Sequence, residues 1–201
     1  LYGELGNDTL IGGTGDDSLS GGNDQDLLQG DAGKDTLDGG SGKDTLNGGA
    51  ADDILYGGTD SDTVNGDAGN DRLFGDDGND ILEGGADDDE VSGGAGADSL
   101  SGGLGNDAVY GGLDSDLLDG GEGGDFLFGE AGDDIVSGGS GDDQLDGGIG
   151  ADTIYGGDGN DAFYVSDNLD AIVELANDGA DTVYSSVNYV LSQNVENLVL
   201  S

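Results

Sequence analysis

The chain has 201 residues, of which 46 are Gly and 46 are Asp or Glu, against only three Lys or Arg, and its formal net charge is -43 at pH 7. A compact state with this charge repels itself, so the chain is either disordered or neutralised by bound cations. The absence of Cys excludes disulfides and thiolate metal sites, the absence of His removes the commonest general base and the usual zinc ligand, and the shortage of cations argues against nucleic acid as a partner.

The N-terminal end of the sequence lies inside a repeat, and the chain contains no Met. We therefore expect it to be a piece of a longer polypeptide. No apolar run approaches the ~20 residues that span a bilayer, so no membrane span is expected, and no secretory signal is visible at the N-terminus of this piece.

A nine-residue period dominates the chain from Gly3 to Tyr164, in eighteen copies without insertion or deletion. The first position is always Gly, the sixth is always Asp, and the eighth is always apolar. Positions two and four are Gly in most copies and are acidic in most of the others. Glycine placed this regularly is not typical of a flexible linker.

Each position of the period has a physical interpretation. Glycines at positions one, two and four permit positive φ angles and a close approach of the main chain to a ligand. Positions seven to nine alternate outward, inward and outward, as in a short strand with a buried middle side chain. A six-residue turn followed by a three-residue strand reverses the chain, so two copies are expected to close one coil of about eighteen residues. Stacked coils would bury one stripe of eighth-position side chains and place the sixth-position Asp residues in two lateral columns.

The sixth-position carboxylates are the candidate metal ligands. They are Asp8, Asp17, Asp26, Asp35, Asp44, Asp53, Asp62, Asp71, Asp80, Asp89, Asp98, Asp107, Asp116, Asp125, Asp134, Asp143, Asp152 and Asp161.

The repeat resembles a known family. GGTGDDSLS at 12–20 and GGSGKDTLN at 39–47 follow the pattern GGxGxDxUx, where U is apolar, and are similar to the RTX (hemolysin-type) calcium-binding nonapeptides. The resemblance covers residues 3–164. It implies an all-β fold, a right-handed parallel β-roll with two nonapeptides per coil. It also implies Ca²⁺ held between the turns of neighbouring coils, with the sixth-position Asp donating its carboxylate and turn carbonyls supplying the other oxygens.

Calcium also fits the ligand types that the sequence offers. Ca²⁺ accepts six to eight hard oxygen ligands at flexible spacing, whereas Mg²⁺ requires a stricter octahedron and keeps its waters. Zinc and copper favour the His or Cys that this chain lacks. Eighteen turns in two columns leave about 16 interior sites, and that number of Ca²⁺ ions would reduce the net charge of -43 to about -11.

Two less regular features leave alternatives open. Position nine carries aromatic residues in six copies, five of them even-numbered, and these form either a cross-strand ladder on one sheet or an exposed strip that docks another domain, another copy or a surface glycan. Tyr56 with Phe74, and Tyr110 with Phe128, are placed to stack. The Asp residues at position four are either tolerated substitutions in a left-handed turn or extra carboxylates that tune affinity; they are Asp24, Asp60, Asp87 and Asp114.

Residues 165–201 leave the period and are expected to form a short C-terminal β cap of degenerate repeats beyond a roll of residues 1–164. Strands are predicted around 171–173, 182–187, 189–191 and 198–200. Asp178 and Asp181 are candidates for one more ion. A cap is expected because the open end of a solenoid exposes its core and strand edges.

No catalytic constellation is recognisable, and we expect no enzyme activity within this segment. The leading hypothesis is a calcium-binding module that folds on Ca²⁺ binding and supports type I secretion and extracellular folding of a larger bacterial protein, with other domains of the same polypeptide as partners. The alternative is a repetitive extracellular scaffold, such as an adhesin, surface-layer or filament protein. Both place the chain outside the cell or on its surface.

Overall fold

The computed structural model describes residues 1–166, 168–175 and 179–200. Regular structure in these ranges consists of β-strands, as predicted, and no helix in them has the length and hydropathy to cross a membrane. In chain order the strands are β1 (Tyr2–Leu5), β2 (Thr9–Thr14), β3 (Ser18–Asn23), β4 (Leu27–Ala32), β5 (Thr36–Ser41), β6 (Thr45–Ala50), β7 (Ile54–Thr59), β8 (Thr63–Ala68), β9 (Arg72–Asp77), β10 (Ile81–Ala86), β11 (Glu90–Ala95), β12 (Ser99–Leu104), β13 (Ala108–Leu113), β14 (Leu117–Glu122), β15 (Phe126–Ala131), β16 (Ile135–Ser140), β17 (Gln144–Asp146), β18 (Thr153–Asp158), β19 (Ala162–Val165), β20 (Ala171–Val173), β21 (Thr182–Ser185) and β22 (Asn197–Leu200).

The strands alternate between two parallel sheets. The odd-numbered strands and β22 form a 12-stranded sheet, and the other even-numbered strands form a 10-stranded sheet. Within the repeats each residue pairs with the residue 18 positions further along, as Leu55 does with Leu73 and Leu73 with Val91. Two nonapeptides therefore make one coil, and the coils stack into a parallel β-roll of about 11 turns.

The eighth-position side chains form the core between the two sheets. From Leu10 to Phe163 each has a relative exposure of 6% or less, and most have 0%. Burial of a Leu or Val side chain contributes ~1.5–3 kcal/mol, so this single stripe holds the sheets together. Its neighbours at positions seven and nine are more exposed in every repeat, which confirms the predicted alternation.

The strands are longer than the sequence predicted. Most span six residues, from position seven of one copy to position three of the next, so the turns contain three residues and not six. Because successive coils stack with the same register, positions two and three pair with positions two and three of the next coil. Gly40 pairs with Gly58, and Ser41 with Thr59. The ladder thus continues through the glycine pair.

Only two of the three glycine positions have positive φ. The φ angle is +102° at Gly40 (position two) and +126° at Gly42 (position four), whereas no position-one glycine has a positive φ. Position one requires glycine for space: a Cβ on Gly75 would lie 2.5 Å from Asp80 Oδ2 and 2.5 Å from the carbonyl oxygen of Gly93. A close approach of other atoms, and not a positive φ, therefore explains the glycine at position one.

The position-four Asp residues adopt the left-handed geometry that the sequence allowed. Their φ angles lie between 73° and 80°, and Ala51, which occupies the same position, has φ 83°. Asp is among the residues that tolerate this region best. The backbone is thus compatible with the substitution, and a role of the extra carboxylates in affinity remains a prediction.

Beyond the repeats, the chain continues both sheets. The strands predicted near 171–173, 182–187 and 198–200 are present, although β21 ends at Ser185, whose hydroxyl bonds both the N–H and the carbonyl of Val187. The prediction of a strand at 189–191 was wrong. Its apolar side chains Tyr189 and Leu191 pack on the core instead, and β22 takes the place beside β21.

The aromatic residues stack as predicted. Tyr56 and Phe74 lie with ring centroids 5.1 Å apart, and Tyr110 and Phe128 with centroids 5.4 Å apart. These four and Tyr164 belong to the 12-stranded sheet, while Tyr155 lies on the other. The expected restriction of five aromatics to one sheet is confirmed.

Replacement of Gly75 by Ala tests the space requirement at position one. The added methyl group has no room between the Asp80 carboxylate and the Gly93 carbonyl, so we expect the free energy of unfolding to fall by about 3 kcal/mol or more. Gly15→Ala is the matched control, because its Cβ would meet nothing within 4 Å although φ is +99°, and left-handed backbone costs ~1–2 kcal/mol. Urea unfolding at a fixed calcium concentration measures the free energy of unfolding of both variants. Equal losses of stability in the two would contradict a special space requirement at position one.

Candidate metal-binding columns

The sixth-position Asp residues form two columns, one at each lateral edge of the roll where the chain passes from one sheet to the other. Asp8, Asp26 and every second copy up to Asp152 lie in one column, and Asp17, Asp35 and every second copy up to Asp161 lie in the other. From Asp26 onward their relative exposure is 4% or less. The structure therefore brings all eighteen predicted residues into the expected columns.

From Asp26 onward, one carboxylate oxygen of each Asp accepts a hydrogen bond from a main-chain N–H of the preceding coil. The N–H of Asp53 donates to Asp71 Oδ1 at 2.7 Å, and the N–H of Asp71 donates to Asp89 Oδ1 at 2.7 Å. The same bond repeats along both columns with distances from 2.7 Å to 3.4 Å. Oδ1 therefore serves the fold and fixes the orientation of the carboxylate.

The second oxygen, Oδ2, is buried beside the position-one glycine of its own copy. In Asp8 and in the copies from Asp26 to Asp143, it has no hydrogen-bond donor. A carboxylate oxygen removed from water and left without a donor costs free energy. The columns thus hold a long series of buried acceptors that need a positive partner.

Burial raises the pKa of many of these carboxyl groups above the ordinary value of 3.8. It raises the pKa of Asp62, Asp71 and Asp89 to about 7, and that of Asp53 and Asp80 to about 6. Neighbouring carboxylates in the columns add to the rise, while the bond from the main-chain N–H opposes it. Desolvation is the main cause.

The cations of the chain that form ion pairs do so outside the columns. Lys34 pairs with Asp52, which raises the pKa of the lysine and lowers that of Asp52. Arg72 Nε donates to Glu90 Oε2 at 2.7 Å. Both pairs are exposed, and neither acidic partner is a sixth-position residue. These cations therefore do not neutralise the buried carboxylates.

Main-chain carbonyl oxygens complete the set of metal ligands that the columns offer. The backbone bonds of the described turns end on position-three and position-six carbonyls, as in Gly33 N–H to the Ala50 carbonyl and Ile54 N–H to the Asp35 carbonyl. Neither group of hydrogen bonds ends on the position-four carbonyl. That carbonyl lies against position four of the next coil, as the Asp87 carbonyl lies against Gly105. No three acidic side chains of the described residues converge on one point. A metal ion would thus take one or two carboxylates and several carbonyls, a donor set that fits Ca²⁺.

A second ladder of hydrogen bonds, at position five, was not predicted from the sequence. Asn, Asp and Ser side chains at position five accept a hydrogen bond from the main-chain N–H of position five in the next coil. Asp88 Oδ1 accepts from both the N–H and the side-chain amide of Asn106, at 2.8 and 3.0 Å, and these bonds lower the pKa of Asp88. The signal was the excess of short polar residues at this position, since such side chains bond nearby main-chain groups.

The columns also continue past the last regular repeat. Asp170 Oδ1 accepts from the N–H of Asp152, Asp181 Oδ1 from that of Asp161, and Glu196 Oε2 from that of Asp181. Asp181 had been a candidate, and Asp178, predicted with it, lies outside the described residues. Asp170 was missed although it follows Asp152 by 18 residues, because the glycines that mark the period are absent there.

The raised pKa values predict how pH affects the metal-free chain. Between about pH 4 and 7 the folded chain keeps protons that the unfolded chain has released, so its stability falls as pH rises through this window. In excess chelator we therefore expect far-UV circular dichroism to show more strand as pH is lowered from about 8 to about 5. Sedimentation velocity on the same samples controls for association. Strand content that is unchanged or lower at the acidic end would contradict the burial of these groups.

Comparison with known families agrees with this geometry. No curated protein matches the chain. A family model described as "RTX calcium-binding nonapeptide repeat (4 copies)" matches it in overlapping stretches, which together run from residue 2 to residue 168. These stretches are residues 2–37, 29–64, 38–73, 56–91, 74–109, 83–118, 110–145 and 137–168. The chain belongs to the RTX calcium-binding nonapeptide repeat family.

Proposed function

We propose that the chain is a calcium-dependent folding module of a larger secreted bacterial protein, and that the eighteen sixth-position Asp residues are its calcium ligands. The observation that carries this proposal is the series of buried Oδ2 atoms without donors, in a chain of net charge -43. Bound Ca²⁺ supplies the positive charge that these atoms need. About 16 interior positions are available between successive turns.

Without metal, the columns oppose folding. Each buried, uncompensated carboxylate costs several kcal/mol, and neighbours in a column repel one another as well. The single stripe of eighth-position side chains is the only large apolar cluster in the described chain. We infer that this stripe alone does not hold the chain folded at neutral pH.

Calcium then determines whether the roll forms. An ion that binds only the folded state adds stability as RT ln(1 + [Ca²⁺]/Kd) at each site, and many sites add together. The chain stays unfolded where calcium is scarce, as in a bacterial cytosol, and folds where calcium is millimolar, outside the cell. This behaviour suits export of an unfolded chain by the type I route that is typical of the family.

The segment 165–201 acts as the C-terminal cap of the module in this proposal. Its strands β20 and β21 pair in parallel with β18 and β19 of the roll, β22 pairs in parallel with β21, and Val183 and Val195 extend the core. It thereby covers apolar side chains that the last coil would otherwise expose.

Chelation tests the proposal. We expect far-UV circular dichroism to show a disordered chain in EDTA at neutral pH and a strand-rich chain in millimolar calcium, with full recovery when calcium is restored. Magnesium at the same concentration is the control for general charge screening, and it is expected to restore little strand because it fits a carbonyl-rich site poorly. A strand signal that survives EDTA would refute the proposal.

A single substitution tests the ligand assignment. Asp71→Asn keeps an oxygen for the N–H of Asp53 but replaces the other oxygen by a donor, so the calcium concentration at half-folding should rise by about threefold or more. Asp119→Asn removes the same charge from an exposed side chain of β14 and is expected to change this concentration little. Equal shifts would show that net charge, and not ligation, sets the calcium requirement.

A further inference from the structure

The outer face of the 12-stranded sheet has an order that extends over three coils. Along its position-nine row, the sequence of side chains is Tyr56, Phe74, Ser92 and then Tyr110, Phe128, Asp146. A third aromatic pair follows, in which Tyr164 and Tyr184 stack with centroids 5.4 Å apart. Two aromatic residues and one short polar residue thus alternate every three coils.

Asp146 lies between two of these aromatic pairs. It is directly opposite Phe128 on one side and Tyr164 on the other. Adjacent strands are ~4.8 Å apart, so the two aromatic positions are separated by about 10 Å, which is room for one planar group stacked on both rings. The Tyr164 hydroxyl donates to Gln144 Oε1 at 3.3 Å, on the same strand that carries Asp146.

The roll is irregular at this point. Strand β17 ends at Asp146 after three residues, and Asp146 Oδ1 accepts the N–H of Gly148 at 3.1 Å. The Ser166 hydroxyl donates to the Gly148 carbonyl at 3.4 Å. A cavity of about 350 Å³ opens here, lined by Asp146, Tyr164, Val165, Ser166, Tyr184, Ser185 and Ser186. Asp146 and the two tyrosines therefore line the same space.

The chain itself shows which chemistry this face accommodates. The Arg72 guanidinium carbon lies 5.3 Å from the ring centroid of Phe74, while Arg72 Nε and Nη2 donate to the carboxylate of Glu90. A planar cation thus lies over an aromatic ring of this row and pairs with an acidic side chain. Aromatic rings and a carboxylate occur together again around Asp146. The chain supplies no cation of its own there, because the positions that correspond to Arg72 and Glu90 three coils later are Phe126 and Gln144.

We propose that the cavity at Asp146 binds the guanidinium group of an arginine side chain presented by a partner polypeptide. The Asp146 carboxylate supplies the ion pair, and the Tyr164 ring that lines the cavity supplies a flat surface that a guanidinium stacks on better than an ammonium does. Phe128 flanks Asp146 on the other side. The net charge, which is -43 for the chain alone and still about -11 with about 16 bound Ca²⁺ ions, attracts a cationic partner and disfavours an anionic one. The site is separate from the metal columns, since Asp146 occupies position nine and not position six.

NMR titration of the calcium-loaded chain tests this site. The probe is Nα-acetyl-arginine amide, with the uncharged analogue Nα-acetyl-citrulline amide and with Nα-acetyl-lysine amide as comparators. We expect the arginine probe to shift the amide signals of Gly147 and Gly148 and the ring signals of Tyr164 and Tyr184, with weaker binding of lysine and little of citrulline. Asp146→Asn is expected to weaken the arginine probe by about fivefold or more, and Tyr164→Leu by a similar factor.

Asp38→Asn is the matched control. Asp38 occupies the same position of the same sheet, but only one of its neighbours, Tyr56, is aromatic, and the other is Ser20. This variant should bind the probe as the parent chain does. Equal binding of citrulline and arginine, equal losses in Asp38→Asn and Asp146→Asn, or the absence of shifts near Gly148 would each overturn the proposal. The titration of the parent chain requires no substitution, so a variant that folds poorly does not decide the outcome.

Discussion

The structure depends on the contact between a buried aspartate and the coil next to it. From Asp26 onward, each carboxylate in a column accepts a hydrogen bond through Oδ1 from the main chain of the preceding coil, which locks the stacking at 18 residues. The same contact buries Oδ2 against a position-one glycine and places like charges in a row. The feature that sets the register of the roll is thus also the feature that opposes its folding, and in our account bound calcium resolves this conflict.

Many details of the repeat follow from this contact. Glycine is invariant at position one because Asp Oδ2 and a carbonyl of the next coil occupy the space of a Cβ. Position two tolerates acidic residues in the left-handed region, as at Asp31 and Glu130, whose φ angles are 71° and 70°. Outside the columns, position-five bonds and stacked rings join the same pairs of coils, so neighbouring coils interact at several points around the turn. These outer contacts are weaker individually but carry no buried charge.

The period of nine was sufficient to predict the coil length, the buried stripe and the two columns, because every copy repeats one pattern of glycine, aspartate and an apolar residue. It did not predict that strands such as β5 extend through the glycine pair, since glycine is usually a sign of a turn and the neighbouring coil is not visible in a single copy. Asp170 and Glu196 were missed because insertions and substitutions interrupt the period there. The apolar residues near Tyr189 alternate as in a strand, but the place beside β21 belongs to β22.

We propose that divalent ions lie between successive turns and neutralise the carboxylate columns. A crystal structure of the calcium-loaded chain with an anomalous difference map tests it most directly. The account predicts two rows of peaks, about eight in each row, each within ~2.3–2.6 Å of a sixth-position carboxylate oxygen and of turn carbonyls. A folded roll whose columns contain no peaks, with ions only on its outer faces, would contradict it.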